Sequence, residues 1–387
     1  MALLERAPNL MLAPRSDQVL DLASVFRGEP QLRKVVRWMV LTTERDGEHE
    51  ISLPAVCALG SPESLQAASR ETWIERFGAE VVAELETSGA LREPPPAAAR
   101  SMEDDWHPVA HIAHRHLRWR GVDSEAATEH LQASGRTLLE SLGPAPPMVA
   151  QPQHVLGREP LGRVARDSPL EDLVGRRATC RNFSAHQALA MPTFAELMQR
   201  VYGARAISHT SGVPVMKRAT ASAGGLHAVE AYVLVQRVEN LAPGLYHYHA
   251  VDHALETLRL LEPTAAKQLA ARFVANQAWF VDAPVQVILV ARFARNFWKY
   301  RRHAKTHRAL ILDAGHLSHH QYLVATELGL AAFITAAINE GDIEDAFGLD
   351  PMQEGVLAVT GFGCRGQRME VLEFDPLQQV WPEWSPE

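Results

Sequence analysis

Three runs rich in β-branched residues place the strongest constraint on the fold of this chain. They are residues 230–238 (EAYVLVQRV), 283–292 (APVQVILVAR) and 355–363 (GVLAVTGFG). Each run has the length of a single strand, and β-branched side chains favour extended backbone. Helical patterns separate the runs without the strict alternation of a βαβ protein. The sequence therefore predicts an α+β domain rather than a doubly wound sheet.

Two further patterns belong to the same domain. Residues 244–260 (GLYHYHAVDHALETLRL) predict a hairpin that turns at Val251–Asp252–His253. Between Thr306 and Gly329, apolar residues recur at helical spacing, as at Leu310 and Leu317, and the pattern ends at a glycine. We expect a long central helix there.

Proline clusters divide the chain. Residues 94–96 are three prolines, and four more prolines lie within residues 144–152. Proline lacks a backbone donor and disfavours helix in the residue before it, so both clusters predict linkers. We place the main boundary near residue 150, which gives an N-terminal module over residues 1–150 and a second domain over residues 151–387.

The N-terminal module shows three short helical patterns, ISLPAVCALG, ETWIERFG and AEVVAELETSGAL, and Gly89 is suited to end the last of them. Residues 33–43 predict a strand or a short helix. One small sheet with three helices suits a winged-helix-like module. Such a module binds DNA or grips a peptide by adding a strand to its sheet. The alternative, a module that only covers a dimer surface, stays open.

Charge and composition narrow the choice of partners. Lys and Arg number 38 against 46 Asp and Glu, a formal net charge of −8, so nothing attracts the chain to phosphate backbones or anionic lipid. This excludes a basic nucleic-acid module and disfavours a winged-helix regulator. The three cysteines are too far apart for a zinc pattern or a disulfide framework. With no signal peptide or membrane-spanning run, we expect a cytoplasmic protein.

The first candidate site is Arg177-Ala-Thr179-Cys-Arg181. Side chains spaced by two face one way in an extended segment, so two guanidiniums and a hydroxyl can clamp a phosphate or a polyol. An exposed basic turn is the alternative.

The second candidate is the segment Ser222-Ala223-Gly224-Gly225, followed by Leu-His-Ala-Val-Glu. Paired glycines let a ligand approach the backbone closely, and the following element offers free N–H groups. The segment is neither GxGxxG nor a P-loop. An ordinary turn is the alternative.

The third candidate is Lys299-Tyr300. An ammonium beside a tyrosine lowers the pKa of the phenol, which makes the pair suitable for acid–base catalysis. A solvated basic loop is the alternative.

Two histidine clusters also have helical spacing, and imidazoles at i, i+3 and i+4 can bind zinc. They are His316, His319 and His320 in the predicted long helix, and His107, His111, His114 and His116 in the N-terminal module. The first cluster has no carboxylate at matching spacing, and core or surface histidines are the simpler reading of the second. We therefore predict no metal.

The order of the motifs is more specific than any one of them. Arg-x-Thr-x-Arg is followed by Ser-Ala-Gly-Gly-Leu-His-x-x-Glu-x-Tyr, Gly-Leu-Tyr-His-Tyr, Lys-Tyr, His-Arg, Ala-Gly-His and a closing Val-Thr-Gly-Phe-Gly. Over about residues 165–366 the chain resembles the SagB-type dehydrogenases of the nitroreductase superfamily, in particular a peptide-maturation dehydrogenase subgroup. These are flavin-dependent oxidases of peptide natural-product (RiPP) clusters, including enzymes that turn thiazolines and oxazolines into azoles.

The resemblance implies an FMN-binding α+β fold, with a central, mainly antiparallel sheet, in which two chains build two flavin sites at a homodimer interface. Arg177, Thr179 and Arg181 match the motif that holds the phosphate and ribityl chain, and Ser222, Ala223, Gly224 and Gly225 match the turn beside the isoalloxazine. Lys299 and Tyr300 match the pair proposed for catalysis. Further cofactor contacts are implied for Arg308, His319, His320 and Arg365.

Several positions depart from the family pattern. Thr179 keeps the hydroxyl of the usual serine, whereas His227-Ala228 replaces Tyr-Pro and His307 replaces a tyrosine. His319-His320 stands in place of Gln-Asn, and Ala336-Ala337 in place of glycines. These changes affect the expected substrate more than the expected flavin.

The resemblance implies an FMN-dependent oxidoreductase that dehydrogenates a ribosomally made peptide, with a cyclodehydratase or another maturation enzyme as a partner. Tyr300, assisted by Lys299, is the expected base, and backbone N–H groups near Ser222–Gly225 or Thr335–Ala337 are expected to stabilise the reduced flavin. Two alternatives stay open. One is an NAD(P)H-dependent reductase of nitro compounds or quinones, and the other is a non-catalytic scaffold that has lost its flavin.

Overall fold

The computed structural model describes residues 3–126, 143–150, 152–162, 168–210 and 212–383, and the chain divides into two compact units. The N-terminal unit comprises Met1–Arg118 and Phe293–Arg308, and the C-terminal unit comprises Trp119–Arg292 and Ala309–Glu387. The predicted boundary near residue 150 stays a prediction, because residues 127–142 and 151 lie outside the described residues. The sequence did not anticipate that residues 293–308 group with the N-terminal unit.

The strands are β1 (Leu3–Arg6), β2 (Leu10–Leu20), β3 (Leu32–Thr42), β4 (His49–Ile51), β5 (Ala68–Ser69), β6 (Leu91–Arg92), β7 (Ala206–Thr210), β8 (Val213–Lys217), β9 (Val229–Val235), β10 (Gly244–His249), β11 (Ala254–Leu260), β12 (Val285–Arg292), β13 (Ala331–Thr335) and β14 (Glu354–Gly363). The helices are α1 (Leu22–Phe26), α2 (Leu53–Gly60), α3 (Arg70–Phe77), α4 (Ala79–Thr87), α5 (Ala97–Asp105), α6 (Pro108–His116), α7 (Pro169–Arg176), α8 (Met191–Tyr202), α9 (Pro263–Phe273), α10 (Ala278–Val281), α11 (Phe293–Tyr300), α12 (Thr306–Glu327) and α13 (Glu340–Phe347).

The N-terminal unit combines two small antiparallel sheets with short helices. β1 lies between β5 and β6, and β2, β3 and β4 pair in that order. The three predicted helices are α2, α3 and α4, and they pack with β1 around the buried Trp73. Of residues 33–43, all but Thr43 belong to a strand, since β3 pairs with β2 over its whole length. Gly89 has a φ of +72°, as expected of the residue that ends a helix.

The core of the C-terminal unit is one six-stranded sheet with the order β11-β10-β9-β12-β14-β13. Every pair in it is antiparallel, which confirms the α+β prediction. The three β-branched runs form the adjacent strands β9, β12 and β14. Every residue of β12 before Arg292 is buried, as expected for a central strand covered on both faces. The predicted hairpin is β10–β11.

The long helix α12 extends about 33 Å and is joined to the sheet by a buried glutamine. The side-chain amide of Gln321 donates to Thr360 Oγ1 at 2.6 Å and to the Gly361 carbonyl at 3.0 Å, both on β14. Its oxygen accepts the hydroxyl of Tyr202 on α8 at 2.6 Å. Because all the polar atoms of this buried side chain are paired, α12 has a defined rotation against the sheet.

Within the described ranges, none of the helices combines the length and the apolarity that crossing a bilayer needs. Nor do His, Cys, Asp and Glu side chains gather there in threes in a way that could bind a metal ion. Cys57, Cys180 and Cys364 are free thiols.

Candidate active site

The Arg177–Arg181 segment lies along the edge of the central sheet. It follows α7, and the Cys180 amide donates to the carbonyl of Ala332 on β13 at 2.9 Å. The Thr179 hydroxyl is 3.0 Å from the hydroxyl of Tyr322 on α12, and the Arg177 guanidinium lies 5.3 Å from the centroid of the same ring. Arg177 and Thr179 therefore contact the same tyrosine side chain, and the clamp of Arg177, Thr179 and Arg181 stays a prediction.

The arginines of this segment have no carboxylate partner among the described residues. Arg177 contacts the Tyr322 ring, and Arg181 donates to the Leu372 carbonyl at 3.3 Å. Both are half-buried. Guanidiniums that are partly shielded from water and carry no paired anion are suited to receive one.

The Ser222–Gly225 turn is held by a buried carboxylate that sequence reasoning missed. Asp313 on α12 accepts the Ser222 hydroxyl at 2.6 Å and the Ala223 amide at 3.0 Å. The Ser222 hydroxyl in turn accepts the His227 amide at 2.9 Å. The signal for Asp313 was an acidic residue on the apolar face of the predicted helix, between Leu310 and Ala314.

The two glycines of the turn leave open space beside it. Gly224 and Gly225 have φ values of +60° and +67° and are exposed. No atom would lie within 4 Å of a Cβ built on Gly225. Glycine is therefore required by the backbone conformation, and the turn can accept a ligand against its surface.

Asp313 and Tyr322 brace the two candidate segments from opposite sides of α12. They are nine positions apart in the helix, which corresponds to about 13.5 Å along the axis and roughly half a turn around it. Within one chain, the Tyr322 contacts of Arg177 and Thr179 and the Ser222–Gly225 turn therefore lie on opposite sides of the helix.

Lys299 and Tyr300 form the last turn of α11 in the N-terminal unit. The Lys299 ammonium lies 5.5 Å from the centroid of the Tyr300 ring, so the two predicted catalytic groups are in contact. They belong to a helix rather than to the solvated loop considered as the alternative. Arg308 is exposed and belongs to the same unit.

The other predicted cofactor residues have separate environments. His319 is exposed, whereas His320 is half-buried beside the Arg200 carbonyl, and burial lowers the pKa of its imidazole. Of the helix histidines, only His316 contacts the segment before the turn, through Nδ1 and the Ala221 carbonyl at 3.2 Å. The His316–His319–His320 pattern therefore does not converge on one point.

Arg365 pairs with a carboxylate that sequence reasoning did not predict. Its guanidinium forms an ion pair with Glu373, which is fully buried. Glu373 also accepts the amides of Arg181 at 2.6 Å and Asn182 at 3.0 Å, and the Trp381 indole N–H at 2.8 Å. Burial opposes its ionisation, but Arg365 and these donors hold the pKa of Glu373 below its usual range.

A row of hydrogen-bonded ionisable side chains lies across the central sheet, and Glu230, five residues after Gly225, is at its centre. Glu230 accepts Arg292 at 2.7 Å and contacts His247 at 2.9 Å, and His247 also contacts Glu256 at 2.6 Å. Although burial opposes ionisation, hydrogen bonds from His247 and Arg292 lower the pKa of Glu230 to about 2. The hydrogen bond to Glu230 raises the pKa of His247. The side chains of this row belong to the four neighbouring strands β11, β10, β9 and β12.

Comparison with known proteins identifies the domain that carries these segments. Residues 174–364 match the model of the nitroreductase family. The protein named "Putative nitroreductase MJ1384" from Methanocaldococcus jannaschii is 26% identical over 176 residues, which cover 46% of this chain and 82% of that protein.

Two solved structures also align with the chain. The crystal structure of a "putative nitroreductase" from Ralstonia eutropha is 21% identical, covers 54% of this chain and 89% of its own, and has a TM-score of 0.42. The E. coli microcin synthetase McbBCD complex with truncated pro-MccB17 bound is 19% identical, covers 62% and 93%, and has a TM-score of 0.43. Residues 174–364, just under half of the chain, thus resemble the nitroreductase family, and the six-stranded antiparallel sheet lies within this range.

Proposed function

We propose that this protein is an FMN-dependent dehydrogenase that oxidises a ribosomally made peptide. The observation that carries the proposal is the pair Arg177 and Arg181, two half-buried guanidiniums that meet no carboxylate in the part of the chain that the structure describes. They lie on the segment whose Thr179 hydroxyl contacts Tyr322. A phosphate of the cofactor would supply the missing anion.

The chain's residues fit FMN at two places. Arg177 and Arg181 would hold the phosphate, and Thr179 would direct a hydroxyl toward the ribityl chain. The open surface of the Ser222–Gly225 turn fits a planar ring. Arg365 is already neutralised by Glu373, so we assign the phosphate charge chiefly to Arg177 and Arg181, and a contribution from Arg365 stays a prediction.

The two places lie on opposite sides of α12, and we propose that each flavin takes one from each of two copies. Complementation tests this arrangement. An Arg177→Met chain lacks the anion contact but keeps its turn, and a Gly225→Leu chain has the reverse defect. Neither homodimer should retain FMN. A mixed dimer contains one site with both intact parts, so mixing after partial denaturation should restore bound flavin. Failure to restore it, with dimers formed, would contradict the shared site.

Bound FMN would supply the hydride acceptor. The protein's task is to orient the substrate and to move a proton. Tyr300, with the Lys299 ammonium against its ring, is the proposed base that takes the proton from the carbon or heteroatom beside the departing hydride. Oxidation of an azoline to an azole removes two hydrogens in this way, one as hydride and one as a proton. Dioxygen, reduced to hydrogen peroxide, is the proposed final acceptor.

A sheet edge in the N-terminal unit supports the proposal that the substrate is a peptide. Its sheet β2-β3-β4 has the eleven-residue strand β2 at one edge, where about every second residue turns its backbone groups away from β3. An extended peptide can pair with such an edge. The acidic net charge makes a nucleic acid a poor alternative.

Absorption spectroscopy and mass spectrometry test the function. We expect the purified protein to be yellow and to release FMN on heating. It should remove two mass units from a synthetic peptide that contains one thiazoline, in the presence of dioxygen. Tyr300→Phe should keep the flavin and lose most of the turnover, and full activity in this variant would remove Tyr300 from the mechanism.

The same preparation separates the alternatives. A nitro or quinone reductase should bleach rapidly when mixed with NADPH under anaerobic conditions, whereas the proposed dehydrogenase should bleach with the thiazoline peptide instead. A colourless protein that does not bind added FMN would support the scaffold.

A further inference from the structure

We infer that Trp106 is a positioning residue for Lys299 and Tyr300: it anchors α11 within the N-terminal unit and so fixes the pair that performs the proposed proton transfer. The inference rests on the proposed function for its catalytic consequence. Its structural part, the anchoring of α11 by Trp106, is tested independently below.

Trp106 is buried at the centre of an aromatic cluster. Its ring lies 4.5 Å from that of Phe293 and 4.8 Å from that of Phe297, centroid to centroid. It also stacks against His111 at 4.7 Å and His114 at 5.4 Å, and the ring of His114 lies 4.9 Å from that of Phe293. Trp106 thus packs against both α11 and α6, which also meet directly at Phe293 and His114, and aromatic pairs of this kind contribute beyond their buried area.

Trp106 contacts α11 at two phenylalanines that precede the proposed catalytic pair in the same helix. Phe293 and Phe297 are four residues apart and lie on one face, and both are buried. Lys299 and Tyr300 follow within one helical turn and are exposed and half-buried, respectively. Because the helix is rigid over so short a distance, the packing of the two phenylalanines against Trp106 sets the position of both side chains.

The residues beside Trp106 also fix the chain where α11 ends. The Arg302 amide donates to the Asp105 carbonyl at 2.8 Å, and Arg302 Nε donates to the Asp104 carbonyl at 2.5 Å. The Tyr300 carbonyl accepts the Thr306 hydroxyl at 2.9 Å. The end of α5 therefore holds the end of α11 by main-chain contacts that need no particular side chain at Asp104 or Asp105.

This arrangement gives the N-terminal unit a second role. A peptide that pairs with β2 would be bound by the same compact unit that carries Lys299 and Tyr300. Peptide binding and proton transfer then both depend on the N-terminal unit. The aromatic cluster connects helices α6 and α11 of this unit.

Trypsin tests the anchor without any assay of activity, because the segment contains cleavage sites after Lys299, Arg301 and Arg302. Trp106→Leu removes the aromatic contacts, Trp106→Phe keeps them in part, and Trp73→Leu is the matched control in the separate core around Trp73. We expect cleavage at these three sites to be at least about tenfold faster in Trp106→Leu than in the Trp73 control, with Trp106→Phe close to the unchanged protein. Equal rates in the two leucine variants would overturn the anchor.

Kinetics with the FMN-loaded protein and the thiazoline peptide tests the catalytic consequence. A small displacement of a catalytic group can cost about 100-fold in rate, so Trp106→Leu should lower kcat by up to that factor at unchanged flavin content and KM. Trp106→Phe should recover most of it. Fast cleavage with unchanged kcat, while Tyr300→Phe is inactive, would overturn the positioning role. If Tyr300→Phe is itself fully active, the proposed mechanism fails and the protease result alone decides whether Trp106 anchors α11.

Discussion

The Ser222–Gly225 turn and the α11 segment are both proposed to serve the reaction, but different forces hold them. The turn is held by directional hydrogen bonds to one buried carboxylate, Asp313. The α11 segment is held by aromatic packing around Trp106. Hydrogen bonds to one charged group depend on the direction of each donor, and all of them are lost when that group is removed. The stabilisation from aromatic packing is instead distributed over several rings. The turn should thus respond sharply to single polar changes, and the segment to loss of volume or to buried charge.

The largest effect is expected for Asp313→Ala. The variant leaves the Ser222 hydroxyl and the Ala223 amide without their acceptor, and two hydrogen bonds to a charged group together contribute about 3 to 5 kcal/mol. Urea unfolding followed by circular dichroism would measure the loss. Asp313→Asn is the control, since its amide oxygen still accepts one donor, and it should lose clearly less. An alanine variant as stable as the unchanged protein would show that the turn does not depend on Asp313.

The next effect is acid destabilisation of the aromatic cluster. Burial first, then Arg92 and Arg115, lower the pKa of His111 to about 4. The unfolded chain binds this proton near pH 6.5, so below that pH it holds more protons than the folded protein. Stability from the neutral imidazole is thus fully present above pH 6.5 and falls between pH 6.5 and 4, by about 3 kcal/mol in all.

Unfolding experiments at several pH values check this expectation. His111→Phe keeps an aromatic ring against Trp106 but cannot titrate, so its stability should lose about 3 kcal/mol less between pH 6.5 and 4. Burial also lowers the pKa of His307 in the same unit, so part of the slope should remain. A variant with the full slope of the unchanged protein would assign the acid sensitivity to other groups.

A contrast between local and distant interactions also explains which features of the structure could be predicted from the sequence. Regular periodicity gave the β-branched strands, the hairpin and the long helix, because alternation and helical spacing depend on neighbouring residues only. The Arg177–Thr179 and Lys299–Tyr300 spacings are also local: Arg177 and Thr179 contact the same tyrosine, and Lys299 lies against Tyr300, whereas their roles in a site stay predictions.

Partners distant in sequence were missed. Asp313, Tyr322 and Glu373 lie between 90 and 192 residues from Ala223, Thr179 and Arg181, which they contact in that order. Only the tertiary fold brings such residues together. Trp106 was overlooked because an aromatic residue between acidic and histidine-rich stretches has no periodic pattern, and its contacts depend on residues 293–308 grouping with the N-terminal unit.

A smaller effect is expected where the Arg177–Arg181 segment meets α12. Thr179→Val removes the hydroxyl that pairs with the buried Tyr322 hydroxyl at 3.0 Å, and one neutral hydrogen bond contributes about 1 kcal/mol. A thermal melt of the protein without cofactor would show the loss, and Thr179→Ser should restore most of it. If serine and valine behave alike, the contact is one of shape and the hydroxyl is not needed for stability.

The smallest effect is expected at the exposed ion pair of the α11 segment. Asp104 Oδ1 lies 3.2 Å from the Arg302 guanidinium, and both side chains are about two-thirds exposed to solvent. Water and salt screen such a pair, so Asp104→Ala should cost less than about 0.5 kcal/mol. The variant keeps the main-chain carbonyl that accepts Arg302 Nε, and tryptic cleavage after Lys299 should stay at the unchanged rate. Cleavage as fast as in Trp106→Leu would mean that the side-chain charge of Asp104, rather than the buried rings, holds α11, and the contrast between a hydrogen-bonded turn and a packed helix would no longer stand.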